Sequence, residues 1–296
     1  MPSSRDSPAL AWSALTMGQV YRAAAGGHGR FSRGGYDPGR MRAHLVQLDI
    51  AWEDVAENHR RASGLLAQAA AGGARLALLP EMFSTGFSMD SKRIAQPPGG
   101  ASETFLRSEA QRRGLWILAS VPEAGEPAPR NMALLVGPDG SVVRYAKIHP
   151  FSYAGEHRVY AAGDRVVTAE IEGVRVTPFV CYDLRFPEPF RTAAADTDLF
   201  AVIANWPDQR REHWRALLRA RAIENQAYVA GVNRAGDGNG LHYAGDSAAI
   251  APLGETLVEA DDREQVLFFD ADPGVVKKLR TRFPALEDRR PSAYKR

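Results

Sequence analysis

The sequence predicts an α/β protein: one domain in which a mixed sheet and its helices pack in layers. Three observations carry this. Short, largely apolar runs recur at residues 76–79, 115–121, 174–180 and 199–204, as expected of buried strands. Segments with helical apolar spacing alternate with several of these runs, most clearly over 53–70 and 212–226. Elsewhere the chain is punctuated by turn clusters, Gly137-Pro138-Asp139-Gly140 and Pro252-Leu253-Gly254-Glu255, which read as hairpins that a purely parallel sheet would lack.

In chain order, a strand is expected at 43–48. The helix at 53–70 follows, with Val55, Ala62, Leu65, Leu66 and Ala69 on one face and Gly72 and Gly73 where a C-cap belongs. The run 76–79 ends at Pro80. A second helix at 104–112 leads into the strand at 115–121, and 132–136 with 141–145 forms a hairpin. The buried strands 174–180 and 199–204 come next. The helix at 212–226 places Trp214, Leu217, Leu218 and Ala222 on one side, and a strand at 228–232 precedes the second hairpin. No internal repeat and no linker divides residues 41–280. Residues 1–40 mix Gly26, Gly27, Gly29, Gly34, Gly35 and Gly39 with Arg30, Arg33 and Arg40, a composition too poor in apolar surface to offset ordering entropy. They are expected to be a disordered N-terminal extension to a domain over 41–290, with 291–296 as a C-terminal tail.

At 296 residues, 45% hydrophobic and 24% charged, the chain has the composition of a globular protein, not of a coiled coil, a collagen or a disordered chain. Its formal net charge is +2, but residues 1–40 carry +3 and the remainder −1, so the body has no nucleic-acid footprint. No apolar run approaches the ~18–20 residues that span a bilayer. The single cysteine excludes an intrachain disulfide and a cysteine zinc site.

That cysteine, Cys181, ends the run 174–180 and precedes the polar segment Tyr182-Asp183-Leu184-Arg185-Phe186-Pro187. A sharp turn at a strand end exposes a nucleophile and lets the next backbone N–H face an oxyanion. None of the seven histidines stands in a recognisable Cys–His setting. Glu81, directly after Leu78-Leu79-Pro80, is a carboxylate at the mouth of a buried strand and a candidate base. Lys147, in Tyr145-Ala146-Lys147-Ile148-His149, ends the hairpin, where its charge would lower a thiol pKa or hold an oxyanion. Taken singly, each also fits an ordinary role: an inert buried Cys, a solvated Glu, a surface Lys with its stem on apolar neighbours.

Together, Glu81, Lys147 and Cys181 at successive strand ends resemble the nitrilase superfamily of carbon–nitrogen hydrolases. The resemblance runs from about residue 41 to 290. It includes the stretch from Arg219 to Gln226 and the segment from Gly245-Asp246-Ser247 to Glu255. Glu81-Met82-Phe83 with Gly86-Phe87, Cys181-Tyr182-Asp183-Leu184-Arg185-Phe186 and Asn205-Trp206-Pro207 look like its omega-amidase branch, which hydrolyses the distal amide of 2-oxo acid amides. The resemblance implies a four-layer α-β-β-α sandwich, a homodimer or higher homo-oligomer, a small-molecule amide substrate such as 2-oxoglutaramate or 2-oxosuccinamate, and a cytoplasmic enzyme. It implies no metal, cofactor, nucleic-acid or membrane partner. Carried over, Cys181 is the nucleophile, Glu81 the general base, Lys147 the electrophilic partner and Glu156 a supporting carboxylate, with the Tyr182 backbone N–H at the oxyanion. A substrate carboxylate requires a cation; Arg210, in the loop after Asn205, is the first choice, with Phe87 and Trp206 lining the aliphatic part. Arg185 is expected to pair acids near the turn, and Arg219, Glu224 and Asn225 to be scaffold. Rival readings are a carbamoyl-amide hydrolase or nitrilase of the same superfamily, and a catalytically silent binding protein of this fold.

Overall fold

Strands that are apolar on both faces must be covered twice. In the computed structural model, which describes residues 39–294, a second sheet covers one face and helices the other. The described residues lie in one compact unit, Asp37–Arg296. Numbered along the chain, the first sheet contains β1 (Met41–Gln47), β2 (Leu76–Leu78), β3 (Trp116–Glu123), β4 (Arg130–Val136), β5 (Val142–Ala146) and β14 (Gln265–Ala271), in the order β14-β1-β2-β3-β4-β5. The second contains β6 (Ala169–Ile171), β7 (Val174–Val180), β8 (Leu199–Ala204), β9 (Tyr228–Asn233), β12 (Ala248–Ile250) and β13 (Thr256–Glu259), in the order β13-β12-β9-β8-β7-β6. A separate hairpin joins β10 (Ala235–Gly238) to β11 (Leu241–Ala244).

The strand period of two sorts the first sheet's side chains. Ala43, Leu45, Leu76, Leu78, Leu118, Ala133 and Leu135 share one core with Val176, Phe179 and Ile203 of the second sheet. Their neighbours Val46, Ala77, Leu79, Ile117, Ala119, Leu134 and Val136 pack instead with helices α1 (Val55–Ala71) and α2 (Ala101–Arg113) through Leu65, Leu66, Ala69, Leu106 and Ala110. On the far face of the second sheet lie α3 (Pro187–Ala193) and α4 (Arg211–Asn225). Trp214, Leu218 and Ala222 of α4 join the same core, and a Cβ on Gly231 of β9 would stand 2.5 Å from Leu218 Cδ1, so glycine lets the helix seat closely. The result is the α-β-β-α sandwich.

Not anticipated from the sequence are α3, β6, the β10–β11 hairpin, β14, a short helix at Ser91–Ile94 and a C-terminal helix α5 (Pro273–Arg282). Helix α2 also begins three residues before the expected 104. Of the extension read over 1–40, all but Gly39 and Arg40 lies outside the described residues, as do the last two positions of the tail. Among the described residues, no helix is long and apolar enough to cross a membrane.

Each sheet carries a parallel trio, β1-β2-β3 and β7-β8-β9. Strand β5 runs in the direction of β3, because both are antiparallel to β4. The carboxyl ends of β2, β5, β7 and β8 deliver Glu81, Lys147, Cys181 and Asn205. In sheets of this kind, ligand crevices form at such ends.

Candidate active site

Lys147 follows β5 directly. Its backbone N–H donates to Asn131 O (3.0 Å) and its carbonyl accepts from Gly163 N (2.8 Å). A Cβ on Gly163 would lie 2.2 Å from Ala146 O, so only glycine passes there. The Lys147 side chain is 1% exposed and donates to Glu81 Oε1 (2.9 Å) and Glu156 Oε2 (2.8 Å), both carboxylates being fully buried. Asn131 Nδ2 donates to Glu81 Oε1 (2.7 Å) and Glu156 Oε1 (3.2 Å), and its Oδ1 accepts from Ser120 Oγ (2.9 Å), which in turn accepts from Met82 N (2.8 Å). Glu156 Oε2 also accepts from Phe151 N. Buried charges persist only when paired and hydrogen-bonded, and this cluster meets both conditions.

Cys181 ends β7 with φ of +47°, a left-handed conformation that a non-glycine residue holds only when its surroundings impose it. Asp183 imposes it: Oδ2 accepts from Val180 N (3.0 Å) and Tyr145 OH (2.8 Å), and Oδ1 from His149 N (2.9 Å), with His149 Nδ1 at 2.8 Å. The thiol lies 3.8 Å from Asn205 O. Asn205 joins the sheets, since its backbone N–H donates to Glu81 Oε2 (2.8 Å) and its side-chain amide to Glu81 O. One residue therefore touches both the candidate base and the candidate nucleophile.

Burial opposes the Lys147 charge, but Glu156 and Glu81 outweigh it and raise the lysine pKa. Burial foremost, then the charge of Glu81, raises Glu156. Lys147 acts on the thiol in the expected direction but does not set the outcome. Lys147 does pull it down, but burial and Glu81 push harder, and the Cys181 pKa is raised well above normal. The thiol therefore keeps its proton at rest.

Above Cys181 opens a cavity of about 170 Å³, small enough for a metabolite and not for a polymer. The structure places Phe87, Tyr182, Trp206 and Arg210 on its walls, together with Arg185, Tyr243 and Leu241, while Glu156 lies behind Lys147. The Lys147 ammonium sits 5.0 Å from the Phe87 ring centroid. Arg185 does not pair acids as expected: its guanidinium lies 4.9 Å from the Trp206 ring and 3.0 Å from His213 Nδ1. Arg210 stands 5.4 Å from the Phe151 ring, and its carbonyl accepts from Trp206 Nε1 (2.8 Å). Among the described residues neither guanidinium has a carboxylate partner. Arg219, Glu224 and Asn225 lie on α4: Arg219 donates to Thr256 Oγ1 of β13, while Glu224 and Asn225 bond to Arg221 within the helix. Asn131, Ser120, Asp183 and Tyr243 were missed. The strand expected at 132–136 starts one residue after Asn131, and the Asn205-Trp206-Pro207 motif by itself assigns Asn205 no role.

The carbon–nitrogen hydrolase family model matches residues 42–281. Omega-amidase YafV of Escherichia coli (strain K12) is 42% identical over 251 residues, which cover 84% of this chain and 96% of that protein. The 2-oxoglutaramate amidase of Bacillus subtilis (strain 168) is 30% identical, covering 84% and 97%. Among solved structures, XC1258 from Xanthomonas campestris, described as a CN-hydrolase superfamily protein with an arsenic adduct in the active site, superposes with a TM-score of 0.82 at 41% identity, covering 85% of this chain and 97% of that one.

Proposed function

Because this chain belongs to the carbon–nitrogen hydrolase family and is an amidase of the nitrilase superfamily, we propose that it hydrolyses the distal amide of 2-oxo acid amides, 2-oxoglutaramate and 2-oxosuccinamate, through a thioester on Cys181. The observation that carries the substrate reading is the pair of guanidiniums, Arg185 and Arg210, that share the cavity with Cys181 and lack carboxylate partners among the described residues. A small amide with a remote carboxylate supplies what they lack. The names of the E. coli and B. subtilis relatives agree with it.

In this reading Glu81 takes the thiol proton as sulfur attacks the amide carbon. Two of the three Lys147 N–H bonds are engaged by Glu81 and Glu156, leaving one for the developing oxyanion beside the Tyr182 backbone N–H. A single such donor is worth about 10²–10³ in rate. Protonated Glu81 then gives its proton to the leaving nitrogen and ammonia departs. The freed carboxylate activates water, which cleaves the thioester to the 2-oxo dicarboxylate and regenerates the thiol. Glu156 and Asn131 hold Lys147 and Glu81 in register throughout.

Ammonia release from 2-oxoglutaramate, carbamoyl-β-alanine and a simple nitrile tests the substrate class. 2-Oxoglutaramate is expected to have by far the highest kcat/KM. Faster turnover of either other compound contradicts the proposal.

A further inference from the structure

Tyr243, on β11, is 2% exposed and lines the same cavity as Cys181 and Arg210. Its hydroxyl makes no hydrogen bond among the described residues, yet it is absent from the buried polar atoms that are sealed without a partner. With Tyr243 on the cavity wall, the cavity is where that hydroxyl can find a partner. A phenol hydroxyl this deep ordinarily finds a partner within the protein. One left without a protein partner beside a cavity is arranged to meet a ligand.

The scaffold behind it is built to fix its position. Arg234 is fully buried, and its guanidinium stands 4.5 Å from the Tyr243 ring centroid. The guanidinium is itself held by Ile50 O and Asp237 O, each 2.9 Å from Nη2. The β10–β11 register sets Tyr243 opposite Gly236, and a Cβ on Gly236 would stand 2.2 Å from Asp49 Oδ1. Burial foremost pushes the phenol pKa up to about 12, so it keeps its proton and donates at neutral pH. Cys181 and Arg210 line the same cavity as Tyr243.

A 2-oxo acid amide has three polar groups in line: the amide at the thiol, the carboxylate at a guanidinium, and the 2-oxo oxygen beside that carboxylate. The first two have partners in the proposed function, on which this step rests. We infer that the Tyr243 hydroxyl is the specificity-determining donor for the 2-oxo oxygen of the substrate. A site that offers a donor penalises an analogue with nothing to accept it.

The test compares 2-oxoglutaramate with glutaramate, which keeps the carboxylate and amide and lacks only the oxo group, on wild type and Tyr243→Phe. Loss of one neutral hydrogen bond predicts a fall of roughly 3- to 10-fold in kcat/KM for 2-oxoglutaramate, with glutaramate nearly unchanged. The ratio of the two substrates is insensitive to the fraction of folded enzyme, so a merely structural role for the hydroxyl does not move it. A preference for 2-oxoglutaramate that survives Y243F unchanged, or equal losses on both substrates, overturns the inference alone. A wild-type enzyme with no such preference overturns it together with the proposed substrate.

Discussion

At the scale of single residues, the electrostatics of three buried groups set the order of events. The Cys181 thiol keeps its proton and Lys147 keeps its charge, so the ion pair does not make a resting thiolate. In the proposed mechanism the base therefore acts during attack. Glu81→Gln should therefore block both acylation and deacylation; normal acylation by this variant would move the base to Glu156. Because burial raises the Glu156 pKa above the ordinary 4.5, Glu156 takes up a proton at a pH above that value. The kcat/KM profile should accordingly fall on the acid side at a pH above 4.5, and Glu156→Gln should move that limb lower; an unmoved limb contradicts the coupling. Arg210→Ala and Arg185→Ala should each lower kcat/KM for 2-oxoglutaramate by roughly 10- to 150-fold and spare an amide without a carboxylate. Glu81, Lys147 and Cys181 were legible because a charged or nucleophilic side chain at the end of an apolar run stands out. Asn131 and Tyr243 were not. Asn131 acquires its role only when β4 pairs with β5 and lays it beside Lys147, and nothing local to Tyr243 signals that its hydroxyl faces a cavity.

At the scale of elements, the turn after β7 depends on one carboxylate. Asp183 accepts from the Val180 and His149 backbone and from Tyr145 at the base of the nucleophile turn. Asp183→Ala leaves several buried donors unpaired and should cost about 3 kcal/mol or more of stability, with Asp183→Asn milder; thermal unfolding measures both. A variant as stable as wild type would show that the turn is held elsewhere. The same scale explains the misread boundaries. The buried face of α2 includes Ser102, Glu103 and Glu109, whose carboxylates are neutralised by Arg107, Arg144 and Arg113, so its first turn looks solvated in sequence. Helix α3 begins Pro187-Glu188-Pro189; proline is favoured at a first helical position, but seven residues are too few to show an apolar period beside it.

At the scale of the whole molecule, periodicity reveals which strands are buried but not what buries them. The runs at β2, β7 and β8 are apolar on both faces, a pattern equally suited to helices on both sides of a single sheet. The stacking of two sheets was anticipated from the family resemblance alone. His44, on β1, shows how the assembled layers act on a titratable group. It is 2% exposed, stacks on Phe268, and burial, aided by the charge of Arg42, lowers its pKa from 6.5 to about 4. The folded protein refuses a proton that the unfolded chain accepts, so this contribution is complete above pH 6.5 and is lost as pH falls towards 4. The loss should be on the order of 2 kcal/mol, and His44→Leu should flatten that part of the stability–pH curve. An equally steep curve in the variant would assign the slope to other groups. Since every proposed site residue lies within 81–243, removal of residues 1–38 should leave kcat/KM unchanged, and a large loss would mean that the extension contributes to the site.

The central claim is covalent: Cys181 carries the acyl group during turnover. Intact mass of enzyme quenched while hydrolysing 2-oxoglutaramate, with Cys181→Ala beside it, tests this most directly. The account predicts a single acyl adduct, mapped to Cys181 in wild type and absent from an inactive variant. A Cys181→Ala enzyme that still releases ammonia, or an adduct on another residue, would contradict it.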